Sequence, residues 1–188
     1  MSLRGVFLDR DGVINRYRRD YVRTEAEFEY EEGAEQAFEI LGTLALPLVV
    51  VTNQSAIGRG MTTRRTVDAI HARLRADAAR WGAAIASIEV CPHSPDARCE
   101  CRKPGAALFR RAAERLGIAL DGSYLVGDAP SDIEAARLLG LRAARVRTGR
   151  GSEPLPAGVA AEVEVDGLLA AARWIAAKEA ENGARDLG

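Results

Sequence analysis

Hydrophobic residues along the chain fall into two kinds of segment. Short, nearly unbroken apolar runs at 5–8, 46–51, 85–90, 124–126 and 142–146 are bounded by Gly, Pro or charged residues. Each is too short for a buried helix, and continuous apolar character is what a strand covered on both faces requires. Between them, at 33–41, 63–81, 106–116, 131–139 and 168–177, apolar residues recur at the spacing of a helix with one buried stripe. Strand and helix alternating in this way predict an α/β fold, a doubly wound, mostly parallel, Rossmann-like sheet with helices on both faces. In such sheets ligands bind beyond the carboxyl ends of the strands, so the residues after each apolar run are the candidates for chemistry.

The chain has 188 residues, enough for one core without disulfide staples, and residues 1–178 read as a single domain. Residues 149–158 form a Gly/Pro-rich connection, and 179–188, with little apolar content, read as a flexible tail. No apolar run approaches the roughly 20 residues that cross a bilayer, and the opening MSLRGVFLDRDG meets an acidic pair where a signal peptide needs an apolar stretch. A cytoplasmic protein without a membrane partner is expected. The net charge of -1 and 5% aromatic content leave little surface for nucleic acid. There is no GxxxxGK, no GxGxxG and no internal repeat.

Four strand ends carry polar residues of interest. The first runs into Asp9-Arg10-Asp11-Gly12. Alternation along a strand lets Asp9 and Asp11 point the same way while Arg10 points away. Two adjacent carboxylates suit a shared divalent cation, or a division of labour between nucleophile and acid/base, although a solvated acidic turn is the commoner occurrence for the tetrapeptide alone. The second end, Thr52-Asn53-Gln54-Ser55, offers hydroxyl and backbone N–H groups that can hold phosphoryl oxygens or simply shape a turn. The fourth, Gly127-Asp128, places a further acid where it could complete, beside the first strand's carboxylates, an oxygen site suited to Mg²⁺, while Asp132 and Ser131 can cap the helix that starts there.

The third end is the most specific. Cys91-Pro92-His93 is followed, five residues later, by Cys99-Glu100-Cys101, which uses every Cys in the chain. Three thiolates and one imidazole at this spacing suit a tetrahedral Zn²⁺, and four protein ligands leave no open position, so the zinc is expected to be structural. Arg102 and Lys103 follow directly. The chain contains 24 Arg and only two Lys, Lys103 and Lys178, so a lysine beside the metal loop marks a place where a compact point charge is wanted. His71 falls on a helix face with no ligand role.

In order, FLDRDGVIN, VVTNQSAIGRG, CPH-x5-CECRKP and VGDAPSD resemble the haloacid dehalogenase superfamily of phosphatases, and within it the zinc-loop branch that contains heptose 1,7-bisphosphate phosphatases and histidinol-phosphate phosphatase domains. The resemblance implies that Asp9 is the nucleophile and Asp11 the acid that protonates the leaving oxygen and then activates water. It implies phosphoryl contacts from Thr52, the Asn53 backbone and Lys103, within a loop that includes Gln54 and Ser55. Mg²⁺ would be held by Asp9, the main-chain carbonyl of Asp11, and Asp128. Asp11 and Thr52 are 41 residues apart and Thr52 and Lys103 are 51 apart, so no separate cap domain fits in either interval.

Selectivity is then expected from two loops over an open site. The first carries Arg16, Arg18 and Arg19 with Tyr17 and Tyr21; Arg102 lies in the second. Arg102 and a first-loop arginine, Arg18 or Arg19, are candidates to read a second phosphate or sugar hydroxyls, against the alternative of a solvated charge run. The implied activity is hydrolysis of a small sugar bisphosphate, heptose 1,7-bisphosphate before histidinol phosphate, by a monomer or weak oligomer. A zinc-stabilised binding protein without catalysis is the contrasting class, which the joint presence of Asp9, Asp11, Lys103 and Asp128 disfavours. Two features depart from the branch: Ala129 stands where a basic residue is common, and the first loop is one residue longer; both bear on substrate identity and leave hydrolysis intact.

Overall fold

Every predicted apolar run becomes a strand of one sheet in the computed structural model, which describes residues 3–185. The strands are β1 (Val6–Leu8), β2 (Leu48–Asn53), β3 (Ile85–Cys91), β4 (Tyr124–Gly127) and β5 (Arg142–Val146), with β6 (Val163–Val165) added at one edge. All pair in parallel, in the order β3-β2-β1-β4-β5-β6. The sixth strand escapes the apolar pattern because it is three residues long, with Glu164 exposed at its centre.

The helices are α1 (Ala34–Gly42), α2 (Ser55–Gly58), α3 (Arg64–Arg80), α4 (Ala107–Leu116), α5 (Pro130–Leu139) and α6 (Leu168–Arg185). Alternate residues of each strand serve opposite layers. Val6, Leu8 and Val50 pack with Phe38 of α1, Ile70 and Leu74 of α3 and Ile175 of α6. Phe7, Val49 and Leu125 pack on the other face with Leu108 and Phe109 of α4 and Ile133 of α5. β1 has no exposed residue, and each such apolar side chain contributes about 1.5–3 kcal/mol, so a one-residue slip of the central strand would exchange two full layers.

The stretch 179–188 is not a tail throughout. α6 continues to Arg185, because Glu179 accepts from Tyr124 Oη at 2.6 Å and from Arg4 at 2.9 Å, so polar anchors extend the helix past its apolar stripe. Residues 186–188 lie outside the described part. No interval holds a separate cap: the chain between β1 and α1 makes only a loop with one 3₁₀ turn at Glu25–Glu27. The chain leaves β1 through β2 and β3 on one side, then crosses to β4 on the other. That reversal opens a crevice at the carboxyl ends of β1 and β4, where Asp9 and Asp128 emerge.

Candidate active site

Asp9 is delivered by β1, since its N–H bonds Val126 O at 2.9 Å and extends the ladder by one residue. The chain must then turn sharply, and it does so at Gly12 with φ +88°. Gly149, at φ +57° in the loop after β5, faces it, and a Cβ at either position would collide with the Asp128 carboxylate. Glycine is needed at both to let Asp128 sit between the two turns, with its Oδ2 accepting from Arg150 N–H at 2.7 Å. Carboxylate oxygens of Asp9, Asp128 and Asp132 all lie within 4.8 Å of one another.

The cation among them is Lys103. Its Nζ lies 2.7 Å from Asp9 Oδ1 and 2.8 Å from Asp132 Oδ1, and donates to Val51 O at 2.8 Å. The lysine is 3% exposed, and its pKa is raised because the two carboxylates outweigh burial. One ammonium does not neutralise three buried acids. Burial pushes Asp9 up to about 7, with Lys103 opposing and Asp132 adding to the rise; burial and the charges of Asp9 and Asp132 push Asp128 up to about 8. Asp132 also accepts from Ala129 N–H at 3.0 Å, so the helix-capping and site-supporting readings of this residue are both met.

Asp11 lies across the crevice in a different environment. Burial would raise its pKa, yet Arg10, Asn15 and Gln54 together hold it below the usual carboxylate value. Its Oδ1 accepts from Arg10 Nη2 at 2.7 Å and Asn15 Nδ2 at 3.0 Å, and its Oδ2 from Gln54 Nε2 at 2.7 Å. Gln54 Nε2 also donates to Thr52 Oγ1 at 2.8 Å, which leaves the Thr52 hydroxyl proton to be offered elsewhere. Asn53 acts at one remove: its amide accepts from Lys103 N–H at 3.1 Å and donates to Lys103 O at 3.4 Å.

The zinc-loop residues converge as expected. Sγ of Cys91 lies 3.5 Å from Sγ of Cys99 and 3.7 Å from Nδ1 of His93; Cys101 Sγ is 3.2 Å from that nitrogen and 3.4 Å from Cys99 Sγ. A tetrahedral zinc at ordinary bond lengths separates such ligand atoms by about 3.5–3.8 Å, so the four donors fit one ion closely. The loop leads into Arg102, whose Nη1 donates to Ser55 Oγ at 2.6 Å and ties it to α2.

A cavity of about 450 Å³ opens over Asp9 and Asp11 and is lined by Thr52, Asn53, Gln54, Ser55, Arg102, Lys103 and Asp128. Its outer wall brings Tyr17, Arg18, Tyr21 and Arg150. Tyr21 adopts φ +66°, a left-handed conformation that costs a non-glycine residue about 1–2 kcal/mol, at the wall of the cavity. Arg18 lines the cavity, whereas Arg19 is exposed and is not among its lining residues. Sequence reasoning missed Arg150, held by Glu153 at 2.6 and 2.8 Å, although its position after the β5 run was a signal. It also sent Arg10 away from the site, whereas its guanidinium reaches Asp11. Chemically, the crevice offers a buried carboxylate beside an ammonium, a second carboxylate on separate donors, and arginines in the cavity wall.

A family model described as HAD-hydrolase-like matches residues 100–168. The chain is 41% identical to D-glycero-beta-D-manno-heptose-1,7-bisphosphate 7-phosphatase of Pseudomonas putida, over 89% of this chain and 97% of that protein. It is 43% identical to the D-glycero-alpha-D-manno-heptose-1,7-bisphosphate 7-phosphatase of Mycobacterium tuberculosis, over 70% of each. The crystal structure of D,D-heptose 1,7-bisphosphate phosphatase from B. bronchiseptica, complexed with magnesium and phosphate, superposes with a TM-score of 0.85 at 32% identity, covering 94% of this chain and 99% of that one.

Proposed function

The chain belongs to the HAD-like phosphatases, in the family of heptose-1,7-bisphosphate 7-phosphatases, and from that premise we propose that it removes the 7-phosphate of a D-glycero-D-manno-heptose 1,7-bisphosphate through an aspartyl phosphate on Asp9. The observation that carries this reading is the contact of Lys103 with Asp9 at the floor of a cavity whose other carboxylate, Asp11, is on separate donors. Both Lys103 and the Arg10 N–H, at 2.6 Å, engage Asp9 Oδ1, which leaves Oδ2 as the attacking oxygen. An anionic phosphate lying against Asp11 opposes its ionisation, so in the substrate complex Asp11 carries the proton that it gives to the sugar O7 as the Asp9 oxygen–phosphorus bond forms and the bond to O7 breaks. Water then attacks phosphorus, gives a proton to Asp11 and releases Asp9. Thr52 and Lys103 hold the phosphoryl oxygens.

The donor set fits Mg²⁺. Hard carboxylate oxygens cluster in excess of the one lysine, and the raised values of Asp9 and Asp128 mark a charge that a divalent cation relieves. Asp9, Asp128 and the Asp11 carbonyl would hold it; Asp132 is committed to Lys103 and Ala129. When bound, Mg²⁺ offsets the repulsion between a carboxylate and a phosphate dianion. Cys91, His93, Cys99 and Cys101 would hold Zn²⁺, and so closed the loop would fix the segment that presents Arg102 and Lys103. Arg102 and Arg18 take the non-reacting phosphate. We infer a monomer or weak oligomer that works in the cytoplasm, where thiols able to hold a metal stay reduced. Among the described residues no helix is long and apolar enough to cross a membrane.

The test is phosphate release from both anomers of heptose 1,7-bisphosphate, histidinol phosphate and other sugar phosphates with Mg²⁺. Preferred turnover of a heptose bisphosphate is expected; turnover of none would return the chain to the class of zinc-stabilised binding proteins.

A further inference from the structure

Arg10 is the largest fully buried side chain and lies at the active site, yet the reaction above assigns its guanidinium no step. It is held on two sides. Nη2 donates to Asp11 Oδ1 at 2.7 Å, and Nη1 lies 3.2 Å from Nε2 of His71, a buried residue of α3. A guanidinium only donates, so Nε2 of His71 is the acceptor and the ring proton sits on Nδ1. Burial beside a permanent cation keeps the ring neutral, with its pKa lowered to about 3. The Arg10 guanidinium also sits 5.7 Å from the Phe28 ring centroid, and the Arg10 carbonyl accepts from Ile14 at 2.8 Å and Asn15 at 3.0 Å. Backbone and side chain of one residue thereby fix both the loop and the carboxylate beside it.

A buried ion pair is weak as a stabilising device, since well-packed apolar residues often do as well. Its use here is geometric. The three donors to Asp11 come from Arg10, Asn15 and Gln54; Asn15 also bonds Arg16 O and Gln54 bonds Thr52, both neighbours in the chain, while Arg10 is the one tied to a helix side chain, His71 of α3. Resting on the phosphatase reading, we propose that Arg10 is a positioning residue that aims the Asp11 carboxylate at the attacking water, and that His71 on α3 fixes Arg10 in that pose. The balance of the step is unchanged: water oxygen bonds phosphorus, its proton passes to Asp11, and the Asp9–phosphorus bond breaks. Asp11 acts in both steps, but the sugar oxygen of the first is held in place by its own bond to phosphorus, whereas the water of the second is positioned by the carboxylate alone, so breakdown of the phosphoenzyme slows the more when the anchor is lost.

The experiment measures kcat, KM and acid-quenched protein-bound phosphate during turnover of heptose 1,7-bisphosphate with Mg²⁺, in the zinc-loaded full chain. His71→Leu keeps volume and removes the acceptor; His71→Gln keeps an acceptor near the Nε2 position. A positioned base contributes about 10²–10⁴-fold, so His71→Leu should lose about tenfold or more in kcat with KM within about threefold, while protein-bound phosphate rises. His71→Gln should restore most of the rate. Arg10→Lys, which keeps the charge and cannot span both partners, should also accumulate phosphoenzyme and serves if His71→Leu fails to fold. Unchanged kcat, a fall without phosphoenzyme accumulation, or equal loss in His71→Gln would overturn the proposal. Wild-type turnover in the same series reports separately on the phosphatase reading.

Discussion

Replacing Lys103 by Met removes the one ammonium among three buried carboxylates. At 2.7 Å and an effective dielectric near 20, each contact is worth roughly 6 kcal/mol of gross attraction, most of it offset by desolvation of the ions. Cutting such a pair and leaving charge behind costs about 3–5 kcal/mol. The carboxyls can escape part of that by taking protons. Asp9 and Asp128 already have folded values of about 7 and about 8, above the ordinary 3.8, so the stability they contribute is present at low pH and is lost as pH rises through those values. Lys103 lowers both, and without it they rise further. The deficit of the variant should therefore be small at pH 6 and widen above pH 7 by about 1.4 kcal/mol per pH unit for each group still protonated. Urea unfolding of metal-free protein at pH 6 and pH 8.5 reads this, and kcat should fall by about 10²-fold or more. An equal deficit at both pH values, or a larger one at pH 6, would show that Lys103 does not hold Asp9 and Asp128 ionised.

By the same linkage, Mg²⁺ should raise the melting temperature more at pH 8 than at pH 6, because at the higher pH it meets carboxylates that no longer hold protons. Asp9→Asn should abolish turnover with the fold retained, checked by phosphate release and circular dichroism; residual steady-state activity would require another nucleophile. Cys99→Ser should lower bound zinc by elemental analysis and raise KM through the loosened Arg102 segment, whereas native protein free of zinc would contradict the structural-zinc assignment. Glu179→Ala leaves the buried Tyr124 hydroxyl without its acceptor and should cost about 1–3 kcal/mol in denaturant melts.

The sheet was legible because parallel strands buried on both faces write themselves as unbroken apolar runs, and the polar residues ending those runs became the site. Asp9, Asp11, Thr52, Lys103 and Asp128 meet in the crevice for that reason. What was hidden depends on contacts across the chain. Alternation places Arg10 opposite Asp9, yet its long side chain bends through a buried space to Asp11 and His71, 61 residues away, which no local pattern records. Arg150 approaches Asp128 through its backbone N–H, a group every residue but proline carries. Helix α6 outruns its apolar stripe because Glu179 finds partners in β4 and near the amino terminus. Arg18 and Arg19 are equal in sequence, and of the two only Arg18 lines the cavity.

Phosphorus NMR of D-glycero-D-manno-heptose 1,7-bisphosphate with Mg²⁺ shows directly whether this protein hydrolyses the 7-phosphate. The 7-phosphate resonance should disappear, an equal amount of inorganic phosphate should appear and the 1-phosphate should remain, with none of this in Asp9→Asn. Loss of the 1-phosphate, or no release of phosphate by the native protein from either anomer, would contradict hydrolysis at the 7-position.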